Sequence, residues 1–580
     1  MQFSKELSKK FITKLCFSPN FIILVLGIIF YSQYYNIGFN FGDEGSLAYI
    51  SQVLLEGQVP YIDVAIGYSV MWYYPFVVLF YLFGVNFLVL KAFLFLLAAI
   101  NAMVGFHLIK FLTGRKYLAW LTTLILIAVP GPIHKIYMPI ISIVSMYALL
   151  KIERNTTGLR GVILATALIA FFSLFRIEMG LMLYGILFLT IFSHSYIGEL
   201  SLLKKTSTFS IEIIKSFITM LCTLLPFYLI ALSQGYSTSF IGGYKNCVIF
   251  FYDRGKELLL SVIFSTTQAL QGNSNSEIAE ETITLMQRIP FSEIFSGNAN
   301  SAFAFLTYIP AVIMIGTILF IITSFILHYS RNHCFKHVNK KTPARFCLIF
   351  LIISCTFIQF FYFRPDPGHL VQFMPPFIIL LAYFMAFFMD KAKKIKSKID
   401  ASRVKLKSFS LILCTLCTFG YLYMYTSYAY SIGYAFIGRK SQGYKLFNAE
   451  NGLDLHIAPF LYTELNNIQK IVMKNSKEGD YAMCYPYMPG INYMTNRRAP
   501  KSSLYIDNAA IISNPIWNRD EIDLINAKKV KIIVIFHEWA INGTEFSKFK
   551  NWAKEFYDYL KANYRLENEK GMMQVFIRKD

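Results

Sequence analysis

Charge is scarce in this chain: only 15% of its 580 residues are Asp, Glu, Lys or Arg, against 55% apolar and 17% aromatic. Soluble proteins carry about 25% charged residues, so a string of water-soluble domains is excluded and an α-helical polytopic membrane protein is implied. Nine cysteines, at 16, 222, 247, 334, 347, 355, 414, 417 and 484, lie mostly inside apolar stretches, which excludes a disulfide scaffold. No small-residue cleavage site follows the apolar run from Asn20 to about Tyr35, which Lys5, Lys9, Lys10 and Lys14 precede, so this run is read as a retained span. Internal repeats and low-complexity tracts are absent. The net charge of 55 − 34 = +21 does not point to nucleic acid, because the basic residues come in short clusters between apolar runs, as cytoplasmic loops do.

Further apolar runs at about 88–110, 117–131, 136–150, 160–175, 178–194, 212–233, 303–328, 345–363, 370–389 and 408–427 make eleven candidate spans. With the N-terminus inside, Arg115/Lys116, Lys151/Arg154/Arg160, Lys204/Lys205, the cluster from Arg331 to Arg345 and the basic residues from Lys391 to Lys407 all fall on the cytoplasmic face. From Asn36 to Phe87 there is no Lys or Arg at all, while Asp43, Glu44, Glu56 and Asp63 lie there, so this loop is expected outside. Residues Val70 to Phe87 are apolar, yet an extra crossing would invert every later loop against its charge; they are read as an interfacial or re-entrant helix. The expected organisation is a membrane domain over 1–427, with a first outer loop at 36–87 carrying interfacial helices and a long outer loop at 234–302. That second loop is expected to hold an interfacial helix near Lys256 to Leu270. A C-terminal soluble α/β domain over 428–580, on the outer side, has 21 basic and 16 acidic residues between Ser427 and Asp580. Its β-type runs are Tyr481 to Tyr485, Val530 to Phe536 and Met573 to Ile577.

The most informative segment is Phe41-Gly42-Asp43-Glu44-Gly45-Ser46, a few residues after the first span. Leu47, Ile50, Val53 and Leu54 recur at helical spacing, which predicts a short amphipathic helix lying in the interface and fixing both carboxylates at one height. Either the acidic pair caps this helix or it does chemistry at the membrane surface. Together with Leu54-Leu55-Glu56-Gly57-Gln58-Val59-Pro60-Tyr61-Ile62-Asp63, the segment resembles the multi-span C-type glycosyltransferases that use polyprenyl-phosphate sugars. These include the protein mannosyltransferases and the lipid A aminoarabinose transferases. The resemblance covers residues 20 to 390 as a pattern of spans. It implies an inverting transfer of a sugar from a polyprenyl-phosphate donor to an envelope glycan, lipid or protein acceptor, at the outer face of a bacterial-type inner membrane. It makes Asp43 the base on the acceptor hydroxyl, with Glu44 as the second acidic position, and leaves open whether a divalent cation is needed. No basic residue stands in Met71-Trp72-Tyr73-Tyr74-Pro75, where the aminoarabinose branch has one, and there is no room for the inserted β-trefoil domain of eukaryotic protein mannosyltransferases.

Such a reaction also needs cations for the departing lipid phosphate. Phe363-Arg364-Pro365-Asp366-Pro367-Gly368-His369 is a short outer turn stiffened by prolines, and Arg364 and His369 are candidates for that phosphate, unless Arg364 only snorkels to lipid headgroups. Lys135, in Gly131-Pro132-Ile133-His134-Lys135, and Arg176, in Phe175-Arg176-Ile177-Glu178, are the other basic residues of the short outer loops. Arg176 and Glu178 are two residues apart and do not share a helix face, so different partners are expected for them. A cross-helix ion pair is the structural alternative. Asp63, Glu178 and Asp366 complete the candidates as substrate contacts. His333-Cys334 with His337 is a poor metal set, Cys414 and Cys417 sit inside a span, and Asn542-Gly543-Thr544 is a sequon. The C-terminal domain, where His537-Glu538 ends an expected strand, is expected to cover the active site or present the acceptor. A secondary transporter would predict a repeat and charges at mid-span; a polysaccharide polymerase or ligase would predict a dense basic cluster in 234–301. Neither feature is present.

Overall fold

A computed structural model describes residues 18–249, 367–396 and 443–579, with 65, 67–68, 154–157, 197–201, 450, 501–513, 515, 538–547 and 569–570 left aside; residues 252, 316 and 319 are described singly. A helix sits on eight of the eleven expected apolar runs. These are α1 (Pro19–Tyr31), α4 (Phe87–Thr113), α5 (Lys116–Ala128), α6 (Tyr137–Glu153), α7 (Gly158–Ser173), α8 (Ile177–Tyr196), α9 (Leu202–Ser233) and α10 (Pro367–Lys396). The runs 303–328, 345–363 and 408–427 lie outside the described residues, apart from 316 and 319. By length and composition, Phe87–Thr113 and Thr206–Ser233 are long enough to cross a membrane, and seven further apolar helices are shorter. The first loop holds α2 (Asp43–Leu55), a 3-10 turn over Val70–Trp72, and α3 (Tyr74–Phe83). At about 1.5 Å per residue, the ten residues of α3 rise only half the thickness of a bilayer core.

The chain divides into two compact units. The first comprises Met1–Phe30, Phe95–Leu229 and Ile241–Ile437. Its helices pack closely at small residues, as helices do where lipid supplies no hydrophobic drive. A Cβ on Gly105 of α4 would meet Leu126 of α5 at 2.6 Å and Ile379 of α10 at 3.7 Å. Thr166 of α7 and Ser216 of α9 share a hydrogen bond at 3.0 Å. At one end of this unit, Arg115 before α5 pairs with Asp390 of α10 at 2.5 Å.

The second unit joins Tyr31–Leu94, Ile230–Phe240 and Gly438–Asp580, so the first loop and the tail share one core. The three β-type runs of the tail become β3 (Ala482–Tyr485), β4 (Ile532–Phe536) and β6 (Met573–Arg578), each buried along nearly its whole length on both faces. With β5 (Tyr564–Leu566) they form one sheet in the order β3-β4-β6-β5, where β3 and β4 are parallel and the other pairings antiparallel. Tyr485, Trp517, Phe549, Phe556 and Leu560 fill its core. The short β1 (Lys445–Asn448) and β2 (Asp454–Ile457) form an antiparallel pair that the sequence pattern does not announce, each being only four residues long and half polar. The first loop joins them: the Gly38 N–H donates to the His456 carbonyl at 2.9 Å, and the His456 N–H donates to the Asn36 carbonyl at 2.7 Å. Helix α11 (Pro459–Asn475) and the seven-residue α12 (Pro489–Thr495) follow β2 and β3. α12 packs against α2.

Candidate functional site

Asn40 begins the site. Its side-chain oxygen accepts the N–H groups of Gly42 and Asp43, each at 3.0 Å, and so takes two donors that the start of α2 leaves unpaired. Glu44 answers four residues later, its carboxylate accepting the Asn40 N–H at 3.0 Å. This is a reciprocal cap of the capping-box kind with a longer spacing. Glu44 is buried and Asp43 is half-buried at the first residue of the helix, where the helix dipole favours a negative charge. Capping and exposure thus separate the two carboxylates that the sequence presents as a pair.

The helix expected behind them forms, but it does not offer a polar face to water. Every residue from Glu44 to Val53 is buried, including Ser46, Ser51 and Gln52. Two of these polar side chains have protein partners: Ser51 donates to the Tyr73 carbonyl at 3.4 Å, and Gln52 donates to Asn496 at 2.9 Å. Apolar periodicity in α2 therefore marks only part of the buried surface, and the expectation of an amphipathic helix lying in the interface is corrected. Beneath the loop, the buried Lys91 of α4 donates to the carbonyls of Ile37 and Gly38 at 2.7 and 2.8 Å. Its place in an apolar helix hid this residue from the sequence reading.

Two cationic candidates of the helical unit, Lys135 and Arg176, lie in turns whose neighbouring aromatic rings touch. Lys135 ends a 3-10 turn over Ile133–Lys135 between α5 and α6, and Arg176 sits between α7 and α8. Tyr137 and Phe175 stack with ring centroids 4.9 Å apart, which sets the two turns side by side. His134, Lys135 and Arg176 are all buried. Arg176 pairs with Glu178 through both Nε and Nη2, so the expectation of separate partners is corrected. The i, i+2 rule applies inside a helix; Arg176 precedes α8, and the turn swings its guanidinium back over the first residues of that helix. The helical segment 237–249 covers this turn. Tyr244 shares a hydrogen bond with Ser173 at 2.9 Å, and a Cβ on Gly243 would lie 3.0 Å from Ile177. Burial, with the Glu178 carboxylate adding and Arg176 opposing, pushes the Cys247 thiol up to about 11, so it stays protonated and is no nucleophile.

No protein-family model matches this chain, and no curated protein matches it. Among solved structures the chain is similar to ArnT from Cupriavidus metallidurans, bound to undecaprenyl phosphate. The two are 12% identical over 96% of this chain and 97% of that one, with a TM-score of 0.47. At that level the likeness assigns neither a substrate nor a site to this chain.

Two of the remaining candidates lie among the described residues. Asp63 is exposed, and its carboxylate accepts the Val59 N–H at 2.8 Å, closing the turn before Val64. His369 lies in the first turn of α10. Arg364 and Asp366, the helix near Lys256 to Leu270, His333, Cys334, His337, Cys414, Cys417, Glu538 and Asn542 to Thr544 lie outside the described residues. Among the described residues no group of His, Cys, Asp and Glu is arranged to hold a metal ion. Tyr244 and Lys91 join the candidates from structure alone. A buried Lys facing a loop with no other cation was the available signal for the second.

Proposed function

We propose that this chain is an inverting membrane glycosyltransferase that moves a sugar from a polyprenyl-phosphate donor to an envelope glycan, lipid or protein acceptor. The observation that carries the reading is the division of labour at the start of α2, where Glu44 is buried in the helix cap and Asp43 stands half-exposed at the helix N-terminus. A carboxylate held at a fixed height and open to an acceptor hydroxyl is what a general base requires. Asp43 takes the proton of the acceptor hydroxyl as its oxygen attacks the anomeric carbon. The bond to the phosphate oxygen breaks with its electron pair staying on the leaving lipid phosphate, and one in-line displacement inverts the anomeric centre. Lys135, Arg176, Arg364 and His369 are assigned to the phosphate, whose growing charge they offset. Asp63, Glu178 and Asp366 are kept as substrate contacts in this reading. Lys135 and Arg176 are both buried, and Arg176 shares its charge with Glu178.

The test is transfer by the purified full-length protein in liposomes, offered a panel of polyprenyl-phosphate sugars. Asp43→Asn keeps size and most capping capacity but removes the base, so transfer falls by roughly two to four orders of magnitude while the protein remains folded. Wild-type turnover in that variant overturns the assignment.

A further inference from the structure

The helix that carries Asp43 is seated on the C-terminal region by direct backbone contact. A Cβ added to Gly45 would come within 2.4 Å of the Cα and N of Gly490. One added to Gly490 would come within 2.8 Å of the Phe39 ring and 3.0 Å of the Phe41 Cα. Only glycine permits two backbones to approach this closely. The Gly490 N–H donates to the Phe41 carbonyl at 2.9 Å, and the Tyr487 ring lies where a side chain on Gly42 would go. Farther along the helix, the Tyr49 hydroxyl accepts the Ala499 N–H at 2.6 Å. Gln52 donates to Asn496 at 2.9 Å and accepts from Asn451 at 3.0 Å, and Arg498 pairs with Glu56 at 2.7 Å.

These contacts follow α2 from the peptide before Asp43 to the residue after its last turn, and they come from one stretch, Tyr487 to Ala499, with Asn451 beside it. A cover that opened to admit an acceptor would break all of them together and leave the Gln52 side-chain oxygen and the Ala499 N–H without these partners, with only the Gln52 to Glu56 bond kept. A permanent strut keeps them. We propose that the segment Tyr487 to Ala499 positions Asp43, with Gly490 as the positioning residue that sets the height of the Phe41-Gly42-Asp43 backbone. This rests on Asp43 being the base. It changes the role expected of the tail from covering the site or presenting the acceptor to holding the catalytic carboxylate in place.

The test uses the full-length protein with Gly490→Ala, Tyr49→Phe and Asp43→Asn, reading kcat, donor KM and hydrogen exchange of the amides of residues 41–46. Because a misplacement of about 1 Å costs on the order of 100-fold in rate, Gly490→Ala is expected to lower kcat by roughly 10- to 100-fold, and the milder Tyr49→Phe by about 3- to 10-fold. Donor KM should stay within about twofold, since donor binding is not what the strut controls. Exchange over 41–46 should speed up in both variants. Wild-type kcat in Gly490→Ala and Tyr49→Phe, with Asp43→Asn inactive, overturns the positioning role and leaves the base assignment standing. Lowered kcat with unchanged exchange at 41–46 overturns it as well. Wild-type turnover in Asp43→Asn removes the base assignment and the positioning role with it. If Gly490→Ala does not fold, Tyr49→Phe decides alone, since it removes one oxygen and adds nothing.

Discussion

Asn40 and Glu44 cap each other across the turn that opens α2: the Asn40 N–H donates to the Glu44 carboxylate at 3.0 Å, while the Asn40 side chain takes the N–H groups of Gly42 and Asp43. The acidic pair is therefore asymmetric, and its two members should fail differently. Glu44→Ala should lower stability by about 0.5–2 kcal/mol, the usual loss of a helix cap, and the folded fraction should still transfer sugar. Asp43→Asn should do the reverse, leaving the thermal midpoint near that of the wild type and abolishing turnover. Thermal unfolding in detergent beside transfer assays separates the two, and equal loss of stability in both variants would return Asp43 to a capping role.

Glu178 neutralises Arg176 in the turn before α8, with side-chain exposures of 26% and 10%. If Arg176 serves the donor phosphate, Glu178 competes with it. Glu178→Gln should then tighten donor binding and lower KM while reducing stability by roughly 1–3 kcal/mol, below the cost of breaking a fully buried pair. A loss of stability with donor affinity unchanged would make the pair purely structural.

Periodicity and charge located much of this fold because they register bulk partitioning. Eight of the eleven apolar runs are helices among the described residues, and the β-type runs at 481–485, 530–536 and 573–577 became three of the four strands of the sheet. The seat of α2 was less legible. Gly45 and Gly490 are ordinary glycines in sequence, and their contact joins positions 445 residues apart. Burial of Ser46, Ser51 and Gln52 likewise depends on partners that no local pattern names. The Arg176–Glu178 pair was misjudged because helical spacing was applied to a residue that precedes its helix.

Lys91 holds the chain that leads into the cap, donating to two consecutive carbonyls from a buried position. Lys91→Met keeps the length of the side chain and removes both charge-assisted bonds. It should destabilise the protein by roughly 2–4 kcal/mol through the stranded carbonyls, a clear drop in the thermal midpoint. A midpoint equal to that of the wild type would mean that water or a neighbour replaces the ammonium at no cost.

Asp480 links stability to acid. Partial burial alone would raise its carboxyl, but the Lys477 N–H at 2.7 Å and the Lys531 ammonium at 2.8 Å outweigh it and hold the group below its ordinary value of 3.8. A folded value below the unfolded one contributes stability above the unfolded value and loses it as pH falls through the folded one, so the window lies just under pH 3.8. With Lys531 47% exposed, the contribution is a few tenths of a kcal/mol. Asp480→Asn should flatten the acid limb of the midpoint against pH, and added salt should flatten that of the wild type. A limb identical in both proteins would assign acid sensitivity elsewhere.

The Gly38 N–H donates to the His456 carbonyl and the His456 N–H donates to the Asn36 carbonyl inside the unit that joins the first loop to the tail, and a pairing of this kind cannot form across a bilayer. The loop 36–87 and the residues after about 443 must then lie on one side of the membrane, which requires an even number of crossings between them. The apolar runs between Phe87 and Ser427 number ten, in agreement, and one more crossing by the run from Asn20 to Tyr35 puts the N-terminus on the opposite side. The charge distribution predicts that this opposite side is the cytoplasm. Reporter fusions inserted after Gly57 and after Asp480 should therefore report the outer side, and a fusion after Lys398 the inner side. Opposite signals from Gly57 and Asp480 would break the shared unit and the parity argument together. Inner signals from Gly57 and Asp480 with an outer signal from Lys398 would keep the unit and invert the whole map.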